Sequence, residues 1–204
     1  MTRLGQSVAL VLGALVAGAC ASLPARPPSG VAERAQGTPS YSARLKVSLR
    51  GKELRARTAA LVAFRRPDAL RVEIPGPAGA RLLAVARADR LVAVFPGERA
   101  VFTGSATAAD LGALLGVALT PPEVMDLLVG VPPTGVRAFT ARWGPEAPRR
   151  IEADLADGTR LRVTVEEPRL GDALPERAFL DPPHEGYRPV GADEAREIWS
   201  GSRP

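Results

Sequence analysis

From Tyr41 onward, apolar and polar residues exchange places with a period of two, run after run, and the runs are separated by glycine or proline. Period two marks a strand with one buried face, because successive side chains leave the backbone on opposite sides. In 44–50 it places Leu45, Val47 and Leu49 together. In 54–64 it groups Ala60, Val62 and Phe64, and in the next run Leu70, Val72 and Ile74 alternate with Arg71 and Glu73. Gly51-Lys52, Pro67-Asp68 and Pro75-Gly76-Pro77-Ala78-Gly79 supply the turns between them. Further strands are expected at 81–86, 91–95 and 99–103. Strands recurring at roughly 8–12 residues predict an antiparallel meander.

The period then changes. Leu111, Leu114 and Leu115 fall at helical spacing after Ser105 and Thr107, either of which suits an N-cap. Thr120-Pro121-Pro122-Glu123 is a stronger start signal. Threonine caps, proline suits the first helical position, and Glu123 completes a capping box. Val124, Leu127 and Leu128 line one face of that helix, which Gly130 and Pro132-Pro133 end. Strands resume at 138–143 and 150–155, and Asp157-Gly158 turns the second into 160–165. After Leu180 the chain is proline-rich, then charged, and a surface strand or tail is expected. The fold class is mainly β with short helices in a single domain.

The first residues address the chain. Arg3 precedes a run at 8–17 holding only Val, Ala, Leu and Gly, too short for a membrane-spanning helix of about 20 residues. Ala17-Gly18-Ala19-Cys20 follows, a small-residue cleavage site ending on the chain's one cysteine. The pattern resembles the lipobox of bacterial lipoproteins, with alanine where leucine is usual at its first position. That resemblance implies cleavage before Cys20, lipid on its thiol, and attachment to a membrane. A lone thiol in an exported protein has no disulfide partner, and acylation accounts for it. Ala21, in place of the aspartate that retains enteric lipoproteins at the inner membrane, points to the periplasmic face of the outer membrane. Residues 21–40, broken by Pro24, Pro27, Pro28 and Pro39, read as an extended tether. The expected organisation is a signal peptide at 1–19, lipidated cysteine and tether at 20–40, a folded domain at 41–183 and a tail at 184–204.

The formal net charge is +5, carried by scattered arginines, and only 4% of residues are aromatic. A nucleic-acid binder would show a basic stripe with interleaved aromatics, so that partner is not expected. The charge supports at most a modest attraction to anionic membrane or acidic proteins. His184 is the only histidine, which leaves a transition-metal site without partners. No stretch matches G-x-S-x-G, a phosphate-binding loop or H-E-x-x-H. The reading is a binding or carrier protein, with no catalytic residue, metal or cofactor.

The order of these features resembles the LolA/LolB lipoprotein-carrier family. Three segments carry the likeness: 43–64 as a first long hairpin, 70–79 as a strand ending in a short Gly-Pro loop, and 116–132 as a second helix with its exit. The resemblance implies an unclosed, curved antiparallel half-barrel with an α-helical lid, whose apolar concave face accepts acyl chains of lipoproteins. The strand positions for that face are Leu45, Val47, Leu49, Val62, Phe64, Leu70, Val72 and Ile74; the lid positions are Leu111, Leu115, Val124 and Leu128. Pro77, Ala78 and Gly79 correspond to the family's membrane-facing loop, where a leucine enters the bilayer. Alanine at 78 buries about 1–2 kcal/mol less apolar surface, so insertion there would be weaker. The implied partners are acylated lipoproteins, and the chain is expected to be a monomer. A binder of another apolar envelope lipid and a solid-core structural lipoprotein stay open, because alternation alone does not separate a filled interior from a hollow one.

Overall fold

The computed structural model describes residues 23–52, 55–77 and 79–200. The signal segment 1–19, Cys20 and Ala78 lie outside the described residues. A short helix, α1 (Val31–Gln36), precedes six strands that follow one another as an antiparallel meander: β1 (Ser40–Arg50), β2 (Arg55–Arg65), β3 (Ala69–Gly76), β4 (Gly79–Arg87), β5 (Arg90–Phe95) and β6 (Ala100–Ser105). The chain then crosses the inner face of the sheet as α2 (Ala108–Leu115) and α3 (Pro121–Leu128). It returns as β7 (Ala138–Trp143), β8 (Pro148–Asp154) and β9 (Arg160–Leu170).

β9 pairs with β1 on the side away from β2, which joins the two halves into one sheet. β10 (Arg188–Pro189) adds to β6 as the one parallel pair, giving the order β10-β6-β5-β4-β3-β2-β1-β9-β8-β7. Among the described residues no ladder joins β7 to β10, so the sheet is open. The fold is mainly β, an unclosed curved sheet with helices across it, and its one departure from the antiparallel expectation is the two-residue β10.

Register explains the inner face. Leu45 stands between Ala60 and Val165, Val47 between Thr58 and Val163, and Val62 between Ala43 and Val72. Cross-strand partners share a face, so the alternating sets of separate runs become one apolar wall. The helices start where the sequence signals. Thr107 Oγ1 accepts from Asp110 N–H at 3.2 Å, which settles the first cap on Thr107 and not Ser105. Thr120 and Glu123 form a full capping box, with Thr120 N–H donating to the Glu123 carboxylate at 2.8 Å. Gly116 ends α2 at a φ of 72°, in the left-handed region where a side chain would be strained.

Both ends of the described chain depart from the sequence reading. Residues 31–36 of the expected tether are helical, with Val31 and Ala35 buried in the main core. Their i, i+4 spacing gives this one turn an apolar face, enough to dock it despite the prolines before it. The expected tail is also packed. Before it, inside the expected domain, a 3₁₀ turn at Glu176–Phe179 buries Phe179; in the tail itself, α4 (Ala192–Ser200) buries Ala195, Ile198 and Trp199 while packing on α2. Those three residues at i, i+3 and i+4 form a helical stripe amid charge. On the outer side of β4–β6, Val92, Val94 and Val101 make a second cluster with Leu83 and Tyr187. Burial on both faces is why β5 reads as an unbroken apolar run.

Candidate functional site: an apolar cavity under the helices

Between the inner face of β1, β2, β3 and β9 and helices α2, α3 and α4 lies a cavity of about 120 Å³. Eleven of the twelve positions assigned to the concave face and lid line it: Leu45, Val47, Leu49, Val62, Leu70, Val72, Ile74, Leu111, Leu115, Val124 and Leu128. Most are buried, but Val47, Thr58 and Val72 on the strands and Leu115, Val117 and Val124 on the lid are only half-buried. These six residues form the half-exposed rim of the lining.

The twelfth position, Phe64, sits elsewhere. It is fully buried and stacks on Tyr41 with ring centroids 5.1 Å apart, while the Arg66 guanidinium lies over the ring at 5.6 Å. Tyr41 is the register partner of Phe64 across β1 and β2, so at this end of the sheet aromatic packing fills the interior. The buried Tyr41 hydroxyl has no hydrogen-bond partner among the described residues, and burial holds its pKa above the ordinary tyrosine value. Of the loop positions, Pro77 and Gly79 are exposed at the tip of the β3–β4 hairpin, and Ala78 lies outside the described residues.

The twelve assigned positions leave out part of the lining, including Ala60 and Leu127, which alternation and helical spacing set on the faces of Val62 and Leu128. Ala60, Thr58, Leu161 and Val163 join the cavity through register with β1. Extending the alternation into 160–165 would have found the last two. Val117, Leu119 and Leu127 come from the lid and the link before it, and Trp199 reaches in from α4. The one local clue to Trp199 is the helical stripe it shares with Ala195 and Ile198, which does not say where the helix docks.

The lining is hydrocarbon apart from two polar groups, and both are occupied. Thr58 Oγ1 donates to the Ala59 carbonyl at 3.0 Å, and the Trp199 indole N–H donates to the Leu114 carbonyl. The second bond ties α4 to α2, and Arg81 holds the Trp199 carbonyl at 3.2 Å. Arg66 pairs with Asp126 at 2.7 Å, tying α3 to the β2–β3 turn. No charged residue lines the cavity, so it offers a polar ligand nothing to bind. His184 lies away from it, with Nδ1 2.7 Å from the Pro182 carbonyl. Among the described residues no group of three His, Cys, Asp or Glu is placed to hold a metal. No described helix is long and apolar enough to cross a membrane.

An open curved sheet with helices closing over a hydrocarbon-lined hollow is the class of architecture this chain adopts. No protein-family model and no curated protein matches it. Among solved structures it is similar to a LolA superfamily protein from Nitrosomonas europaea, at 12% identity and a TM-score of 0.47 over 74% of this chain and 94% of that one. It is also similar to a DUF1329 family protein from Desulfovibrio piger, at 10% identity and 0.43 over 73% and 92%. A putative outer membrane lipoprotein-sorting protein domain from Vibrio parahaemolyticus gives 10% and 0.40 over 72% and 92%.

Proposed function

We propose that this chain is a lipid-anchored envelope protein that takes the acyl chains of lipoproteins into its cavity and assists their transfer at the outer membrane. The observation that carries the reading is the cavity lining: hydrocarbon throughout, with its two polar groups already bonded to backbone carbonyls. Such a surface gains from a hydrocarbon ligand and from nothing polar. At about 120 Å³ the hollow is smaller than the roughly 300–1,000 Å³ of ordinary ligand pockets. An acyl chain would therefore enter through the rim, displacing Leu115, Val117 and Val124 outward as α2 and α3 shift. The export signal and Cys20 supply the anchor in this reading. The small volume favours a second one, a structural lipoprotein whose interior stays closed.

The test uses the chain shortened to begin at residue 23, which retains every described element. Titration with an environment-sensitive fluorescent fatty acid should show saturable binding that a diacylated peptide competes away. Saturable binding competed by free fatty acid but not by the peptide would redirect the reading to another lipid. No binding of either would leave the structural lipoprotein.

A further inference from the structure

The C-terminal segment covers the outer face of β4–β6, but the outer face of β2, β1, β9, β8 and β7 is bare and basic. Four carboxylates stand on it and three are already engaged: Glu166 by Lys46 at 2.5 Å, Asp154 by Arg160 at 2.8 Å and Glu152 by Arg162 at 3.6 Å; the fourth, Glu167, shares a surface groove with Arg44 and Arg169. That leaves Arg44, Arg50, Arg55, Arg57, Arg142, Arg150 and Arg169, all exposed and without an ion pair among the described residues. Register sets like charges side by side: Arg50 opposes both Arg55 and Arg160, and Arg142 opposes Arg150. Adjacent like charges across strands destabilise a sheet, and an external anion would relieve the repulsion.

The chain's entry into the fold says which anion. The Trp143 N–H donates to the Pro24 carbonyl at 2.9 Å, fixing residue 24 at the free edge of β7 beside Arg142. Only Ala21, Ser22 and Leu23 separate Pro24 from Cys20, and four residues of chain reach at most about 14 Å. A lipid on Cys20 would thus hold the β7 edge against the membrane, with no long tether between. One exposed large apolar side chain, Leu61 of β2, lies on this face, and another, Leu23, stands three residues from Cys20.

We propose that the outer face of β2-β1-β9-β8-β7 lies on an anionic phospholipid surface, its seven unpaired arginines against headgroup phosphates. This rests on the lipid-anchor part of the proposed function. Each cation brought to an anionic leaflet strengthens attachment by about fivefold, so seven of them, even beside the one unpaired carboxylate Glu167, fix an orientation that a single lipidated residue leaves free.

The experiment uses the full-length lipidated protein, in which acylation consumes the one native thiol. A dye is placed at Ala59→Cys on the basic face or at Ala118→Cys on the exposed α2–α3 link, and energy transfer is read to a headgroup acceptor. Vesicles are phosphatidylcholine alone or with phosphatidylglycerol. With phosphatidylglycerol, transfer from position 59 should exceed that from 118. The difference should vanish in high salt, on phosphatidylcholine alone, and in a variant combining Arg44→Gln, Arg57→Gln, Arg142→Gln and Arg150→Gln that melts like its parent. Equal transfer from the two positions, or a difference indifferent to phosphatidylglycerol, overturns the docked face while leaving the anchor intact. A protein that stays with neither vesicle overturns both.

Discussion

Ala60→Leu is the substitution that weighs the hollow directly. Ala60 is buried on β2 and its side chain lines the cavity. Leucine adds three carbons there, each about as bulky as the ~30 Å³ share of a water molecule, so roughly 90 Å³ in total. The cavity offers about 120 Å³. Burial of three carbons at about 0.8 kcal/mol each gives about 2.4 kcal/mol, from which roughly 0.5–1 kcal/mol of lost rotamer freedom is subtracted. A net gain of about 1.5–2 kcal/mol raises the melting temperature by roughly 4–6 °C in a domain of this size. The added side chain also occupies the ligand's place, so binding of the fluorescent fatty acid should be lost. Thermal unfolding and dye titration of the chain from residue 23 read both. In a filled core the same change costs about 1–3 kcal/mol. A lowered melting temperature with dye binding unchanged would refute the hollow and its role together.

Leu115 and Leu128 both line the cavity, but only Leu128 is fully buried. Leu115→Gln should weaken dye binding with little loss of stability, whereas Leu128→Gln should cost about 1–3 kcal/mol or more from its unpartnered amide; denaturant melts separate them, and equal losses would count against the rim. Thr120→Ala removes the α3 capping box and should cost around 1 kcal/mol, seen as a lower denaturation midpoint. Glu176, bonded to Arg65 at 2.6 Å and Arg87 at 2.7 Å, has its pKa held below the usual value, first by the Arg65 hydrogen bond. A depressed carboxylate pKa gives stability that is present above the ordinary value near 4.3 and lost as pH falls through the folded one. Protection factors for amide exchange around residues 171–190, corrected for the intrinsic pH dependence, should therefore fall on acidification below about pH 4, and Glu176→Gln should remove that pH step.

The nine long strands and the two lid helices were legible because their signals are local. Alternation and turn residues give β1–β9, and Thr120 with Glu123 gives α3. What was not legible depends on distant partners. The segment 31–36 reads as linker until a core is present to receive Val31 and Ala35. Phe64 belongs to the same alternating set as Val62, yet the register that brings Tyr41 opposite it turns a cavity position into a packed one. Trp199 lies in a charged stretch whose only clue is the stripe it shares with Ala195 and Ile198. The hollow itself had no sequence mark, since the same leucines and valines would fill a solid core.

An open sheet has two unpaired margins, and such margins invite other chains to pair with them. Here each is met by a proline from one end of the described chain. Pro24 accepts from the Trp143 N–H beside β7, and Pro189 closes β10 beside β6. Proline has no N–H to offer a further strand, so at these two points the margin passes no donor onward. Were copies crowded together on a membrane, as the proposed anchor would have them, these points would hinder pairing edge to edge. The fold can stay open to a ligand without being open to itself.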